Sequence, residues 1–249
     1  EVDRIMVEDF KIPVELMMEL AGLNLAILAL NLSKNKYSNY IIIAGTGNNA
    51  GGGIVAARRL ASWGLNVQVF LPRGKRELKE VPKIQYIRAK YFGIEIVNGL
   101  PYNFLNPEND TFFIDAYLGY GFSPRQDEIT TNVFNFYSNL RNLISLDIPS
   151  GLDATTGESF SGINPVATMT LAYVKKGLLI TEKKNVGKLY IADIGIPINI
   201  YHKIFRNQWG PNFKKTSLQN LYFAFKKKPI HEVQIYRNKF REKSYWKID

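Results

Sequence analysis

Short apolar segments alternate with helical segments along most of this chain, and this alternation restricts the fold more than any other feature. Strands are predicted at residues 40–44, 65–70, 94–97, 111–115, 143–147, 168–173 and 188–192. Helices are predicted at residues 14–30, 54–62, 75–92 and 127–140. Such alternation is typical of a mainly parallel sheet whose two faces are covered by helices. We therefore predict an α/β fold, with one domain over residues 1–205.

Composition removes several classes of site. The chain has no cysteine, so disulfides, thiolate metal sites and cysteine nucleophiles are excluded. With only His202 and His231 present, neither a two-histidine metal site nor a serine triad is expected. The longest apolar stretch, residues 23–32, is shorter than the roughly 20 residues that span a bilayer. Together with the acidic N-terminus, this predicts a cytoplasmic protein without membrane attachment.

Three polar loops follow the ends of three predicted strands, which is where ligands bind in parallel sheets. Residues 45–53 form a glycine-rich turn, which would bring backbone N–H groups and the start of a helix to a phosphate. The segment fits neither a Walker loop nor the dinucleotide fingerprint, and a turn without any ligand stays an alternative. The other two loops begin at Asp115 and Asp147.

The side chains of these loops offer oxygen ligands. Asn49, Asp115 and Ser150 form an all-oxygen set with one formal negative charge. Such a set suits a weakly held hard cation better than zinc or a redox metal. Asp115 alone is equally well explained as a cap of the turn that follows it. The Gly119-Tyr120-Gly121 sequence again favours a backbone that lies close to a ligand.

Three motifs at consistent spacing resemble one known family. The segments AGTGNNAGGGIVAARRL, FIDAYLGYGF and SLDIPSGLDATTGE look like those of the YjeF N-terminal-domain family, the NAD(P)H-hydrate epimerases. IPVELMMELAG resembles the first helix of that family, and KKGLL and VGKLYIADIGIP resemble its last strands. The resemblance covers residues 2–200. It implies a Rossmann-like three-layer αβα sandwich, a homodimer, and interconversion of the R and S epimers of NADHX and NADPHX, the hydrated reduced nicotinamide cofactors.

The same resemblance implies the residues of the site. The family's potassium ligands fall on Asn49, Asp115 and Ser150, with one ion per subunit. Its substrate-binding positions fall on Asn48, Asn49, Ala50, Gly51, Gly52, Gly119, Tyr120, Gly121, Phe122, Ser123, Pro124, Arg125 and Asp147. A dehydratase domain often follows this domain in the family, and it is not recognisable in this sequence. We therefore expect the partner dehydratase to be a separate chain.

Two positions depart from the family's NNGGDG pattern. This chain has Ala50 in place of a glycine and Gly52 in place of an acid. Loss of that carboxylate is expected to weaken ribose or ring contacts, or to reduce or abolish turnover. The implied activity is therefore an isomerase activity that Gly52 weakens.

The implied reaction requires a group that exchanges a proton with the substrate hydroxyl. The hydrated carbon is a hemiaminal, so loss and return of hydroxide through an iminium-like ring would invert it. Such a step needs a proton donor and acceptor near the hydroxyl, and negative charge near the cationic ring. With Asp115 assigned to potassium, Asp147 is the better general acid–base candidate.

Residues 206–249 carry most of the net charge of +10. This C-terminal extension, whose fold is unknown from sequence, has eleven Lys and Arg, three Asp and Glu, and nine aromatic residues, including Trp209, Phe223, Phe225, Tyr236 and Trp246. Interleaved basic and aromatic residues can bind single-stranded nucleic acid. Solvated lysines around packed aromatic rings are the simpler interpretation. The alternative function is therefore a catalytically silent scaffold of the same fold that binds a nucleotide or RNA.

Overall fold

A computed structural model describes residues 2–34, 36–105, 110–121, 127–201, 224–238 and 243–248. Its helices are α1 (Val2–Glu8), α2 (Val14–Ser33), α3 (Asn48–Ser62), α4 (Glu80–Tyr91), α5 (Glu128–Ser138) and α6 (Lys176–Ile180). Its strands are β1 (Asn39–Ala44), β2 (Asn66–Leu71), β3 (Glu95–Asn98), β4 (Thr111–Ala116), β5 (Leu143–Leu146), β6 (Ala167–Leu171), β7 (Lys188–Ala192), β8 (Ile230–Asn238) and β9 (Lys243–Ile248).

The nine strands of the described residues form one sheet in the order β3-β2-β1-β4-β5-β6-β7-β8-β9. Strands β1 to β7 pair in parallel, while β8 and β9 are antiparallel additions at the β7 edge. The predicted mainly parallel sheet is confirmed. The strand order reverses direction between β1 and β4, and a crevice for ligands opens beyond the carboxyl ends of strands at such a point.

Alternate residues of the central strands face opposite helical layers, as the pleat of a strand requires. On one face, Ile42 and Ile114 belong to a buried cluster with Leu25 of α2 and Ile54 of α3. The opposite face packs against α5 through a second cluster that includes Ile41, Ile43, Phe113, Val133 and Tyr137. Helices therefore cover both faces, which is the predicted three-layer αβα arrangement.

Helix α2 is long and apolar enough to cross a membrane when judged by length and composition alone. It exceeds the ten-residue apolar stretch that is evident from the sequence. In the fold, 56% of its most apolar window is buried. Its charged residues Glu15 and Glu19 form ion pairs with Arg88, Arg58 and Arg59 on the neighbouring helices. In this structure α2 is a helix of the protein core.

The glycine-rich segment is largely helical, so the prediction of a turn over residues 45–53 is wrong after Gly47. Helix α3 begins at Asn48, and the small residues of its first turns let other elements approach closely. A Cβ atom added to Gly53 would lie 2.4 Å from the Cβ of Ala116, and one added to Gly51 would lie 2.4 Å from the sulfur of Met18. These glycines therefore allow α3 to pack against β4 and α2.

Other element boundaries also differ from the sequence prediction. The helix predicted at residues 75–92 is divided into a 3₁₀ turn at Lys75–Glu77 and α4, which begins at Glu80. Pro82 explains the division, because proline lacks an N–H and is tolerated only in the first turn of a helix. Helices α1 and α6 are short and were not predicted.

Part of the C-terminal extension belongs to the central sheet. Strand β8 pairs with β7, and Val233 on β8 is buried in a core cluster. Phe225 packs partly buried against the same cluster, whereas Lys226, Lys227 and Lys228 are exposed. Trp209, Phe223 and the side chains of Tyr236 and Trp246 lie outside the described part of the chain.

Candidate functional site

The three residues predicted as cation ligands are brought together around Leu118. Asn49 lies in the first turn of α3, and its Nδ2 donates a hydrogen bond to the Leu118 carbonyl at 2.8 Å. The Leu118 backbone N–H donates to Ser150 Oγ at 2.8 Å. The Ser150 hydroxyl in turn donates to Asp115 Oδ1 at 2.6 Å. The loops after β1, β4 and β5 therefore meet at the crevice that the strand order creates.

Asp115, at the end of β4, is a fully buried carboxylate held by neutral donors. Oδ1 accepts hydrogen bonds from Ser150 Oγ, from Tyr137 OH at 2.9 Å and from Tyr117 N at 3.2 Å. Oδ2 accepts from Ser150 N at 2.9 Å. Burial raises the pKa of Asp115, and the hydrogen bonds from Ser150, Tyr117 and Tyr137 oppose that increase. These contacts supply no positive charge to the ionised carboxylate.

The surroundings of Asp115 fit a hard monovalent cation. Asp115 Oδ2 has a lone pair beyond the one that accepts the Ser150 N–H. Ser145 is the register partner of Asp115 on β5, and its buried hydroxyl has no hydrogen-bond partner among the described residues. The donor set of carboxylate, hydroxyl and amide oxygens suits potassium rather than a soft metal.

Asp147 follows β5 and is held in an unusual backbone conformation. Its φ angle is 65°, which lies in the left-handed region that non-glycine residues seldom adopt. The Asp147 N–H donates to the Met169 carbonyl at 2.7 Å, which ties this conformation to β6. Its carboxylate forms an ion pair with Lys175 through Oδ1, and Oδ2 accepts from Tyr120 N at 3.3 Å. Strained backbone of this kind concentrates at functional sites.

A cleft of about 420 Å³ opens beside this carboxylate. It is lined by Tyr120, Ala154, Thr155, Tyr173, Val174, Lys175 and Lys176. Burial raises the pKa of Tyr173 to about 12, with further contributions from the nearby Tyr120 and Asp147. Two tyrosines and Lys175, the partner of Asp147, therefore border one cleft, which suits a ligand with a flat ring and a polar substituent.

Comparison with known proteins agrees with this geometry. The family model described as the YjeF-related protein N-terminus matches residues 14–177. The chain belongs to this family. An NAD(P)H-hydrate epimerase of Dehalogenimonas lykanthroporepellens is 36% identical over 210 residues, which cover 81% of each chain. The resemblance carried by the three sequence motifs is confirmed.

Two further relatives show the same domain in other contexts. The bifunctional NAD(P)H-hydrate repair enzyme Nnr of Thermofilum pendens is 33% identical over 203 residues, which cover 79% of this chain and 38% of that protein. The crystal structure of the yeast protein ynu0 superposes with a TM-score of 0.72 at 26% identity, covering 81% of this chain and 88% of the yeast chain.

Apart from Asp147, the positions predicted to bind substrate belong to two neighbouring segments of this YjeF-related domain. Asn48, Asn49, Ala50, Gly51 and Gly52 form the first turns of α3. Gly119, Tyr120 and Gly121 form the loop next to Asp147, and a Cβ atom added to Gly119 would lie 3.1 Å from Asn49 Cβ. The remaining predicted residues, Phe122, Ser123, Pro124 and Arg125, lie outside the described residues.

Gly52, which replaces the family's acid, is buried. A Cβ atom added there would lie 2.8 Å from Cδ2 of Leu146, the last residue of β5. A side chain at this position would therefore point toward the end of β5, one residue before Asp147. The space that an acid would need is taken by the Leu146 side chain in this member of the family.

Sequence reasoning missed three side chains that shape the site. Lys175 pairs with Asp147, Tyr173 borders the cleft, and Tyr137 donates to Asp115. Lys175 is the first residue of the KKGLL segment. Its position soon after a predicted strand was the sequence feature that could have placed it near the site. Tyr137 gave no such signal, because it lies in the amphipathic pattern of α5 and its contact with β4 depends on tertiary packing.

A hydrogen-bond network anchors α5 beside the site loops. Arg73, which follows β2, donates from Nε to Tyr117 OH at 3.0 Å and from NH2 to Thr130 Oγ1 at 2.9 Å. It also forms an ion pair with Asp127, the N-cap of α5. The hydrogen bond from Arg73 lowers the pKa of Asp127 to about 2. The network fixes Tyr117, the residue that follows β4, relative to the start of α5.

Proposed function

We propose that this protein is an NAD(P)H-hydrate epimerase, which interconverts the R and S epimers of NADHX and NADPHX. The observation that carries the proposal is the position of Asp147, which has a left-handed backbone and pairs with Lys175 on the wall of a cleft bordered by Tyr120 and Tyr173. The relatives that bear this name cover most of the chain, which supports the same activity.

Asp147 is assigned the proton transfer. Because its carboxylate is ion-paired with Lys175, Asp147 first takes up a proton from solvent at Oδ2. As the bond between the hydrated carbon and its hydroxyl breaks, the ring nitrogen lone pair forms the iminium, and that proton lets the oxygen leave as water. Water then adds to the opposite ring face and releases one proton to solvent, so atoms and charge balance over the cycle. Oδ2 is the oxygen assigned to this exchange, because Oδ1 is paired with Lys175.

Binding of the substrate is assigned to backbone donors on either side of Asp147. The pyrophosphate would lie against the N–H groups of residues 48–50, at the start of α3, and of Gly119 and Gly121. The hydrated ring would then occupy the cleft between the tyrosine rings, where its hydroxyl faces Asp147.

One potassium ion per subunit is assigned to Asn49, Asp115 and Ser150. When bound, the ion supplies positive charge that neutralises the buried Asp115 and stabilises the three loops. Unfolding measured in potassium chloride and in choline chloride at equal ionic strength tests this assignment, because a bound ion stabilises the folded state by mass action. Equal unfolding midpoints in both salts, up to high concentration, would rule the site out.

The proposed enzyme works in the cytoplasm as a homodimer, together with a dehydratase that consumes the S epimer. The fused arrangement named in the bifunctional relative supports a sequential pair of repair steps. Sedimentation equilibrium tests the dimer. Adding a purified S-specific dehydratase tests the coupling, because full conversion of a mixture of epimers then requires the epimerase.

The decisive experiment uses authentic mixtures of the R and S hydrates. The wild type should equilibrate them faster than the spontaneous rate, and Asp147→Asn should lower kcat by about 100-fold or more while the fold stays intact. A protein that binds an NAD(P)-like ligand without turnover would instead support the catalytically silent scaffold. A protein that shows no binding and no turnover would overturn the assignment of the site.

Nucleic-acid binding through the C-terminal extension is a second proposal, favoured by the exposed Lys226, Lys227 and Lys228. It predicts weak binding of single-stranded RNA or DNA that falls steeply with salt. Because β8 pairs with β7, reversing the charge of these three lysines is a cleaner test than deleting residues 206–249. Unchanged binding by the charge-reversed protein would exclude these lysines as the contact.

A further inference from the structure

A buried lysine outside the family's substrate motifs lies directly against the site. The side chain of Lys175 is 7% exposed, and its Nζ forms an ion pair with Asp147 Oδ1. The same Nζ donates to the Leu171 carbonyl at 2.8 Å and to Thr170 Oγ1 at 3.1 Å. It also lies 5.1 Å from the centre of the Tyr173 ring. A protonated amine is therefore enclosed by acceptors at the end of β6.

These contacts determine what Lys175 can and cannot do. An ammonium group has three N–H donors, and the Asp147, Leu171 and Thr170 oxygens account for all three. No N–H of Lys175 remains to bind a substrate. Its effect on a reaction in the cleft must therefore pass through the groups that it holds.

The group held most directly is the carboxylate of Asp147. Oδ1 accepts from Lys175 Nζ and, at 3.5 Å, from Leu171 N, whereas Oδ2 accepts only from Tyr120 N among the described residues. The pair thus fixes the rotation of the carboxylate and leaves Oδ2 on the side of the Tyr120 loop. A buried ion pair that loses one partner leaves an uncompensated charge, so this orientation depends on the lysine.

The backbone on both sides of this pair is strained in the same way. Asp147 has φ of 65° and Ala172, three residues before Lys175, has φ of 63°. Two non-glycine residues in the left-handed region thus lie at one ion pair: Asp147 is a member of the pair, and Ala172 precedes the lysine. Such conformations persist only where the surrounding contacts impose them. The fold therefore maintains the contact between Lys175 and Asp147 despite an unfavourable backbone on each strand end.

We propose that Lys175 is the positioning residue of the epimerisation, which holds Asp147 so that Oδ2 meets the substrate hydroxyl. The inference rests on the proposed function, because Asp147 is the proton-transfer group there. Lys175 acts on the chemical step through geometry, so its loss lowers kcat more than it raises KM. Lys176, its exposed neighbour, lacks this contact.

The test compares Lys175→Met with wild type, Asp147→Asn and the double variant Lys175→Met/Asp147→Asn, on mixed NADHX epimers. Lys175→Met should lower kcat by about tenfold or more, with KM changed less than about threefold. In the Asp147→Asn background the same substitution should cause no further loss, because two residues that act as one unit are not additive. Lys188→Met, an exposed lysine at the start of β7, is the matched control with unchanged kcat.

A second variant keeps the proposal open to contradiction if Lys175→Met folds poorly. Propylammonium, which replaces the atoms that Lys175→Ala removes, should restore kcat in that variant at millimolar concentration and leave wild type unaffected. Full kcat in folded Lys175→Met, or additive losses in the double variant, would overturn the positioning role while the epimerase function stands. Failure of propylammonium to restore kcat in folded Lys175→Ala would overturn it as well. A wild type without any acceleration would overturn the proposed function and this inference together.

Discussion

Ser150 donates both its backbone N–H and its side-chain hydroxyl to Asp115, at 2.9 and 2.6 Å, one to each carboxylate oxygen. This two-point contact joins the end of β4 to the loop after β5, and Ser150 Oγ also accepts the Leu118 N–H. A carboxylate that is fully buried requires such donors, because an ionised group without partners is costly in the protein interior. Ser150 therefore stabilises the site before any cation is considered.

Ser150→Ala should lower the free energy of unfolding by about 1–3 kcal/mol, because it leaves the partly buried Leu118 N–H without its acceptor and the buried Asp115 without one donor. Urea denaturation measures this change. Ser138→Ala is the control, since Ser138 is an exposed helical serine and should change stability by less than about 0.5 kcal/mol. Equal losses in the two variants would show that the contact contributes nothing specific.

Gly52→Asp should raise kcat/KM toward that of relatives with the acid, and a tenfold gain would correspond to about 1.4 kcal/mol of transition-state stabilisation. The new side chain must displace Leu146 Cδ2, which lies 2.8 Å from the Cβ position, so stability should fall. Gly52→Asn has nearly the same shape without the charge and separates the two effects. A rate gain in both variants would contradict a role for the carboxylate.

Gly53→Ala should destabilise the protein by about 1–3 kcal/mol, because its Cβ would meet the Ala116 Cβ at 2.4 Å and force α3 away from β4. Thermal and urea unfolding measure the loss. Gly47→Ala is the matched control, because no atom lies within 4 Å of a Cβ added there. If Gly53→Ala were as stable as Gly47→Ala, the close approach of α3 to the sheet would be wrong.

Stability should depend on pH through Asp127. Its folded-state pKa of about 2 is below the ordinary value of 3.8, because Arg73 donates a hydrogen bond to it. Its contribution is therefore complete above about pH 4 and is lost as pH falls through about 2. The Asp127 side chain is 51% exposed, so screening limits the contribution to about 0.5–1 kcal/mol.

Asp127→Asn tests this dependence, because asparagine still caps a helix but cannot pair with Arg73. The variant should be less stable than wild type at pH 7, and the difference should shrink as pH approaches 2. High salt should also shrink it, since surface pairs are screened. A difference that stays constant from pH 7 to pH 2 would refute the ion pair as its cause.

Much of the architecture could be predicted from local pattern. The continuous apolar runs at β1 and β4 predict strands that are buried on both faces, and the structure has such strands there. The polar residues at or after the ends of β1, β4 and β5, namely Asn49, Asp115 and Ser150, could be grouped as one site, because parallel strands present their carboxyl ends at one edge. The motifs then identified the family.

Tertiary structure decided the features that depend on close approach between distant segments. Sequence could not show that the glycines of α3 belong to a tightly packed helix. That packing depends on Ala116 and Met18, which leave no room for side chains at these positions. Nor could it show that Lys175 reaches Asp147 across 28 residues of chain, or that β8 extends the sheet.

The difference arises from how far apart along the chain the interacting residues lie. Periodicity and turn chemistry are set by neighbours within a few residues, so the sequence by itself determined the order of strands and helices and the residue types at the strand ends. Packing distances, the burial of Asp115 and the orientation of Asp147 are set by atoms far apart in the chain. Only the folded structure brings those atoms together, and it thereby decided which oxygen of Asp147 is held and which is left for chemistry.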